Sequence, residues 1–132
     1  MATLAELRAK KQELDEARAK AREVREIEAL ELEIRFSEEL GPKGSQFEIV
    51  DSGDLGEGFI VVKLGPEVLL KRFLASKTTT PEDVAQFVRP CVVHPEKETF
   101  DEIASRRPAL AARACHALMN LYGLKKEDDA GK

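Results

Sequence analysis

With 132 residues and a formal charge of −4, the chain has room for one modest domain plus an extension, not for two independent cores. An acidic balance (pI ≈ 5.3) argues against a nucleic-acid partner, whose phosphates call for a concentrated positive face. No apolar run reaches the roughly 18 residues that would span a bilayer.

Charged residues make up 35% of the chain and aromatics 5%, a combination that suggests solvated helix around a small core. The N-terminus, MATLAELRAKK, turns charged at its sixth residue and lacks the pattern of a secretory leader. Two cysteines outside any framework fit a reducing cytoplasm.

The first forty residues are dominated by Ala, Leu, Glu, Lys and Arg, with no Gly or Pro before Gly41-Pro42. Thr3 and Glu6 have the spacing of a capping box and Gly41-Pro42 supplies the stop, so one helix is expected from Thr3 to Leu40, roughly 55 Å long. Leu4, Leu7, Leu14, Ala17, Ala21, Val24, Ile27 and Ile34 approximate a 3.5-residue seam, interrupted by Lys11 and Arg18. The seam grows richer from Val24 onward, where Leu30, Leu32, Ile34 and Phe36 crowd together. The second half is therefore expected to dock on the domain, and the first half to act as a coiled-coil or partner helix. A solvated single helix held by pairs such as Asp15 with Arg18 and Glu16 with Lys20 is the alternative.

At Gly41 the texture changes. Glycines and alternating apolar residues over 41–65 predict a β-hairpin, with Phe47 and Ile49 on one face of the first strand. The second strand, Phe59 to Leu64, is more uniformly apolar and should be more buried. Ser52 to Gly58 is the expected turn, long and flexible. It is no phosphate loop: it is acidic, and neither Lys-Ser nor Lys-Thr follows it.

Four short helices should follow, each with a proline where its first turn begins: Pro66, Pro81, Pro95 and Pro108. The first would bury Val68, Leu69, Phe73 and Leu74 and turn Lys71 and Arg72 outward. Thr80 should cap the second, whose apolar face is Val84, Phe87 and Val88. Phe100 and Ile103 face inward on the third, and the fourth ends at Gly123. The tail, 124–132, is charged and expected to be disordered. The fold class is thus α+β, mainly α: a long N-terminal helix over 1–40, and a hairpin with about four short helices over 41–123.

Chemistry is sparse. Cys91, His94, Cys115 and His116 are the only residues that suggest zinc, but adjacent helical side chains such as Cys115 and His116 diverge by about 100° and share an ion poorly. Cys115 shares a face with Ala111, Leu118 and Met119 and reads as core, while His94 reads as a cap for the helix after Pro95. Cys91 and His94 are bracketed by Pro90 and Pro95, a poor setting for a nucleophile and its base. Lys71-Arg72 and Arg106-Arg107 are small basic patches. No catalytic, metal or cofactor site is expected, and an enzyme is not.

The order of segments carries one resemblance. A strand ending in IVVKLGPEVLLKRFLA leads into an acidic-capped helix and then FVRPCVVHPEKETFDEIASRRPALAARACHALMNLYG. Through Val93, Pro95, Phe100, Pro108, Leu110, Leu121 and Gly123 this resembles the small tail assembly chaperones of tailed phages, encoded near the tape measure gene. The resemblance covers about half the chain, 59–123, and the long N-terminal helix departs from it. It implies an α-rich α+β fold, no catalytic residues, and binding to helical segments of a tape measure or other tail protein.

Two functions are therefore expected. One is a tail assembly chaperone in the cytoplasm of the bacterial host, holding partner helices in an apolar groove between the helix after Pro66 (Leu70, Phe73, Leu74) and the C-terminal hairpin. The other is a structural virion component, a homo-oligomer assembling through Leu4, Leu7, Leu14, Val24 and Ile27.

Overall fold

The computed structural model describes residues 1–76 and 80–123. The tail expected to be disordered, 124–132, lies outside them. The described residues divide between two compact units, Met1–Arg35 and those from Phe36 onward, so the last turn of the N-terminal helix belongs with the second unit.

That helix, α1, runs Leu4–Leu40. Thr3 Oγ1 accepts from the Glu6 N–H at 3.2 Å, as the capping spacing requires. At the other end Gly41 adopts φ +108 and donates its N–H to the Ser37 carbonyl, the left-handed stop that glycine alone takes without strain. Among the α1 ion pairs is Lys11 with Asp15 at 3.4 Å, one turn apart and exposed.

β1 (Phe47–Val50) and β2 (Ile60–Lys63) form the expected hairpin, antiparallel with Phe47 opposite Lys63 and Val50 opposite Ile60. A third strand, β3 (Val92–His94), pairs antiparallel with the other edge of β2 through an irregularity at Val61 and Val62. Its three residues, held between Pro90 and Pro95, are too few to show a strand period in sequence. His94 therefore sits in the sheet opposite Val61. The helix after Pro95 has Glu96 at its N-cap position, with no side-chain cap.

Four helices follow among the described residues: α2 (Glu67–Ala75), α3 (Pro81–Val88), α4 (Lys97–Arg106) and α5 (Pro108–Leu121). The fold is α+β and mainly α. Pro81 and Pro108 open α3 and α5 as expected, whereas Pro66 is the N-cap of α2 and Pro95, cis after His94, precedes α4 by two residues. Thr80 makes a complete capping box: its Oγ1 accepts from the Asp83 N–H and the Asp83 carboxylate accepts from the Thr80 N–H, each at 3.1 Å.

Successive side chains of the sheet point to opposite faces, and both faces carry buried residues. Val50, Ile60, Val62 and Val92 face the main core, where Val88, Phe100, Ile103, Leu110, Ala114 and Leu118 come from α3, α4 and α5. Phe47 and Val61, also fully buried, point to the opposite face, where the Phe36 ring lies 6.1 Å from that of Phe47. Hence the alternation in β1 places both Phe47 and Val50 in apolar surroundings, and Ile49 is only half-buried.

The loop between β1 and β2 is more ordered than its glycines suggest. Gly53–Leu55 forms a 3-10 turn, and two arginines tie the loop down. Arg113 of α5 grips Asp54 through both nitrogens at 2.8 Å, and Arg106 of α4 reaches Glu57 at 3.2 Å. Arg106 is thus engaged within the domain and is no open basic patch. On the far side Lys97 Nζ donates to the carbonyls of Arg89, Pro90 and Val92, holding the 3-10 turn Arg89–Cys91 against α4, while Arg89 pairs with Asp101 at 3.0 Å.

Candidate functional site: an apolar cleft beside α2

α2 contains no buried residue. Leu69, Leu70 and Phe73 are half-buried against the core, but Val68 and Leu74, expected inside, are each 56% exposed. The cause is rotational: on a helix of 3.6 residues per turn, Leu69, Leu70 and Phe73 form a stripe at i, i+1, i+4 that leaves Leu74 about 90° from its centre and Val68 on the far side. The helix stops at Ala75, with Ser76 extended after it.

Phe73 lies flat on Phe87 of α3, ring centroids 4.4 Å apart and planes 7° from parallel. Phe87 in turn lies 6.5 Å from Tyr122, whose hydroxyl donates to the Pro66 carbonyl at 3.1 Å and ties the end of α5 to the start of α2. Beside this stack opens a cleft of about 420 Å³. Its apolar lining is Leu69, Phe73, Phe87 and Pro90, and its polar lining is Arg72, Ser76, Asp83 and Gln86. An apolar lining beside one cation and one carboxylate suits an amphipathic ligand, whose apolar side enters while its polar side stays wet. Arg72, assigned to solvent from the sequence, lines the cleft.

The sequence-predicted site residues thus separate. Phe73 lines the cleft, Leu70 packs toward the core beside it, and Leu74 lies outside the lining. The second wall of this cleft comes from α3. Asp83, Gln86 and Pro90 had no sequence signal, since their role depends on which face of α3 meets α2.

Leu4, Leu7, Leu14, Val24 and Ile27 are all exposed on α1, as are Leu30 and Ile34. They do not make one seam. At 100° per residue, Leu4, Leu7 and Leu14 share a face with Leu32 and Phe36, whereas Val24, Ile27 and Ile34 centre roughly 160° away. Of the apolar residues from Val24 onward, Phe36 is buried, while Val24, Ile27, Leu30 and Ile34 are 55% to 59% exposed.

The residues that suggested zinc are dispersed in environment. Cys91 and Cys115 are buried in the core with free thiols, His94 is half-buried in β3, and His116 is exposed on α5. Among the described residues no cluster of His, Cys, Asp and Glu has the arrangement of a metal site, and no helix is long and apolar enough to cross a membrane.

Burial pushes both thiols above the ordinary value of 9.0, with Lys63 and Lys97 pulling Cys91 partly back. A raised thiol costs nothing while it is protonated in folded and unfolded chains alike. Above pH 9 the unfolded thiol ionises and the buried one does not, so stability falls by up to about 1.4 kcal/mol per pH unit for each group. The denaturant midpoint is expected to be level from pH 7 to 8 and to drop above pH 9, with a shallower drop in Cys91→Ala. A midpoint independent of pH up to 10 would contradict the burial of both thiols.

No family model matches the sequence, and no curated protein or solved structure matches the chain.

Proposed function

We propose that this chain is a phage or prophage tail assembly chaperone that binds helical segments of a tape measure protein, or of another tail protein, in the cytoplasm of the bacterial host. The observation that carries the reading is the cleft between α2 and α3, whose apolar lining is Leu69, Phe73, Phe87 and Pro90. Its volume accommodates two or three apolar side chains of an amphipathic helix, the i, i+3 or i+4 anchors by which such helices enter grooves. The segment order that resembles tail assembly chaperones points to the same kind of partner.

The test is coexpression with the neighbouring tail genes, followed by affinity capture of the full chain and mass spectrometry. One very long helical tail protein should copurify and stay soluble. Ser76→Trp replaces an exposed side chain of the lining by one that fills the cleft, and should weaken capture about tenfold, a loss of roughly 1.4 kcal/mol. A tail protein left insoluble and unbound, or capture indifferent to Ser76→Trp, would refute the reading.

A second reading, a structural virion component that self-assembles through α1, is favoured by a different observation: seven large aliphatic side chains of that helix are exposed. Deleting residues 1–21 should then reduce the mass in solution to that of one folded chain.

A further inference from the structure

The two apolar faces of α1 differ in charge as well as direction. Residues 4–22, with Leu4, Leu7 and Leu14, carry six Lys or Arg against four Asp or Glu. Residues 23–35, with Val24, Ile27, Leu30 and Ile34, carry five Glu against Arg25 and Arg35. On the helical net, Lys11, Arg18 and Arg22 fall beside the leucine face, and Glu23 and Glu31 fall beside the second stripe. Each half of α1 thus presents an exposed aliphatic stripe with the charge opposite to that of the other half.

From this we infer that α1 is a head-to-tail connector: the basic leucine face at 4–22 of one copy docks on the acidic Val24, Ile27, Leu30 and Ile34 face of a second copy. The occupant is another copy of this chain because its own N-terminal half supplies what the acidic stripe lacks, aliphatic side chains at helical spacing under positive charge. Like halves would instead set like charges side by side.

Geometry adds the symmetry. With the two faces roughly 160° apart, one straight partner helix cannot cover both, so the contact does not close on itself as a two-fold dimer. Each copy engages one neighbour through its first half and another through its second, and copies add as an open series or a ring. Seven aliphatic side chains make a small contact compared with the roughly 1,200–2,000 Å² of a stable standard interface. A single link is therefore weak, salt-sensitive and driven by concentration. This deepens the self-assembly reading, on which it rests, and is independent of the cleft beside α2.

Complementation tests it in the full chain. Sedimentation velocity across a wide concentration series should show the wild type growing past the dimer, and less so in high salt. Leu7→Glu with Leu14→Glu, and separately Ile27→Glu with Ile34→Glu, should each give monomers. All four residues are exposed, so circular dichroism and thermal midpoints should stay at wild-type values. Mixed together, the two double variants should form a one-to-one dimer and nothing larger, because each retains the half the other lacks. Glu23→Lys with Glu31→Lys should weaken assembly of the wild-type series about tenfold or more.

A wild type that remains monomeric throughout would overturn both this inference and the self-assembly reading. A Leu7→Glu, Leu14→Glu variant that still dimerises alone would overturn the head-to-tail pairing while leaving self-assembly standing. Failure of the two variants to combine would do the same.

Discussion

Replacing Phe36 by alanine is expected to lower the stability of the folded domain by about 3–5 kcal/mol, the usual range for deleting a buried aromatic ring. Phe36 is the only residue of α1 that is buried, at 2% exposure, and it covers the sheet face that carries Phe47 and Val61. Removing it opens that face to water and leaves the Phe47 ring without its neighbour. A domain of this size has a net stability of about 5–15 kcal/mol, so the variant should stand close to unfolding at room temperature. Ile34→Ala, two residues earlier and 59% exposed, is the control and should change stability by no more than about 0.5 kcal/mol. Urea titration followed by circular dichroism at 222 nm measures both. Equal midpoints for the two variants would mean that Phe36 does not seal the sheet.

Adding one carbon at Gly65 should also be costly, and for a steric reason. A Cβ there would lie 2.6 Å from the Cys91 sulfur and 3.4 Å from the Tyr122 hydroxyl oxygen. Cys91 is itself held in the core, and Tyr122 is tied to the Pro66 carbonyl, so neither yields freely. Gly65→Ala is expected to cost about 1–3 kcal/mol, the range for overpacking. The clash predicts its own rescue. Cys91→Ala removes the sulfur, and Gly65→Ala should then be tolerated, so the double variant should be more stable than the sum of the single effects by about 1 kcal/mol or more. Strict additivity would show that Gly65 is required for its backbone and not for the space beside the thiol.

Much of the fold is legible in the chain because its signals are local. The composition of 1–40, the Thr3 and Thr80 caps and the Gly41 stop each act within a turn of helix, and each appears where the sequence puts it. Phe100, Ile103 and Cys115 are core because helical period alone assigns them to one face. The candidate site was only half legible. Phe73 could be named from the α2 pattern, but its partner Phe87 and the polar lining residues Asp83 and Gln86 belong to a different helix. Their meeting depends on how α3 lies against α2.

The same division runs through the errors. β3 escapes notice because three residues show no period, and only the free edge of β2 makes them a strand. Val50 looks outward by alternation from Phe47, yet it is buried because the sheet has cover on both faces, a fact no single strand encodes. Arg106 reads as part of a small basic patch until the loop carrying Glu57 is brought against α4. By itself, then, the sequence determined the helices, the Thr3 and Thr80 caps and the central strand, since these follow from backbone preference and side-chain period within about ten residues. Only the tertiary structure decided the third strand, the two-sided burial of the sheet, the cleft between α2 and α3 and the pinning of the glycine-rich loop. Each of these joins groups far apart in the chain, and packing sets such contacts where local preference is silent.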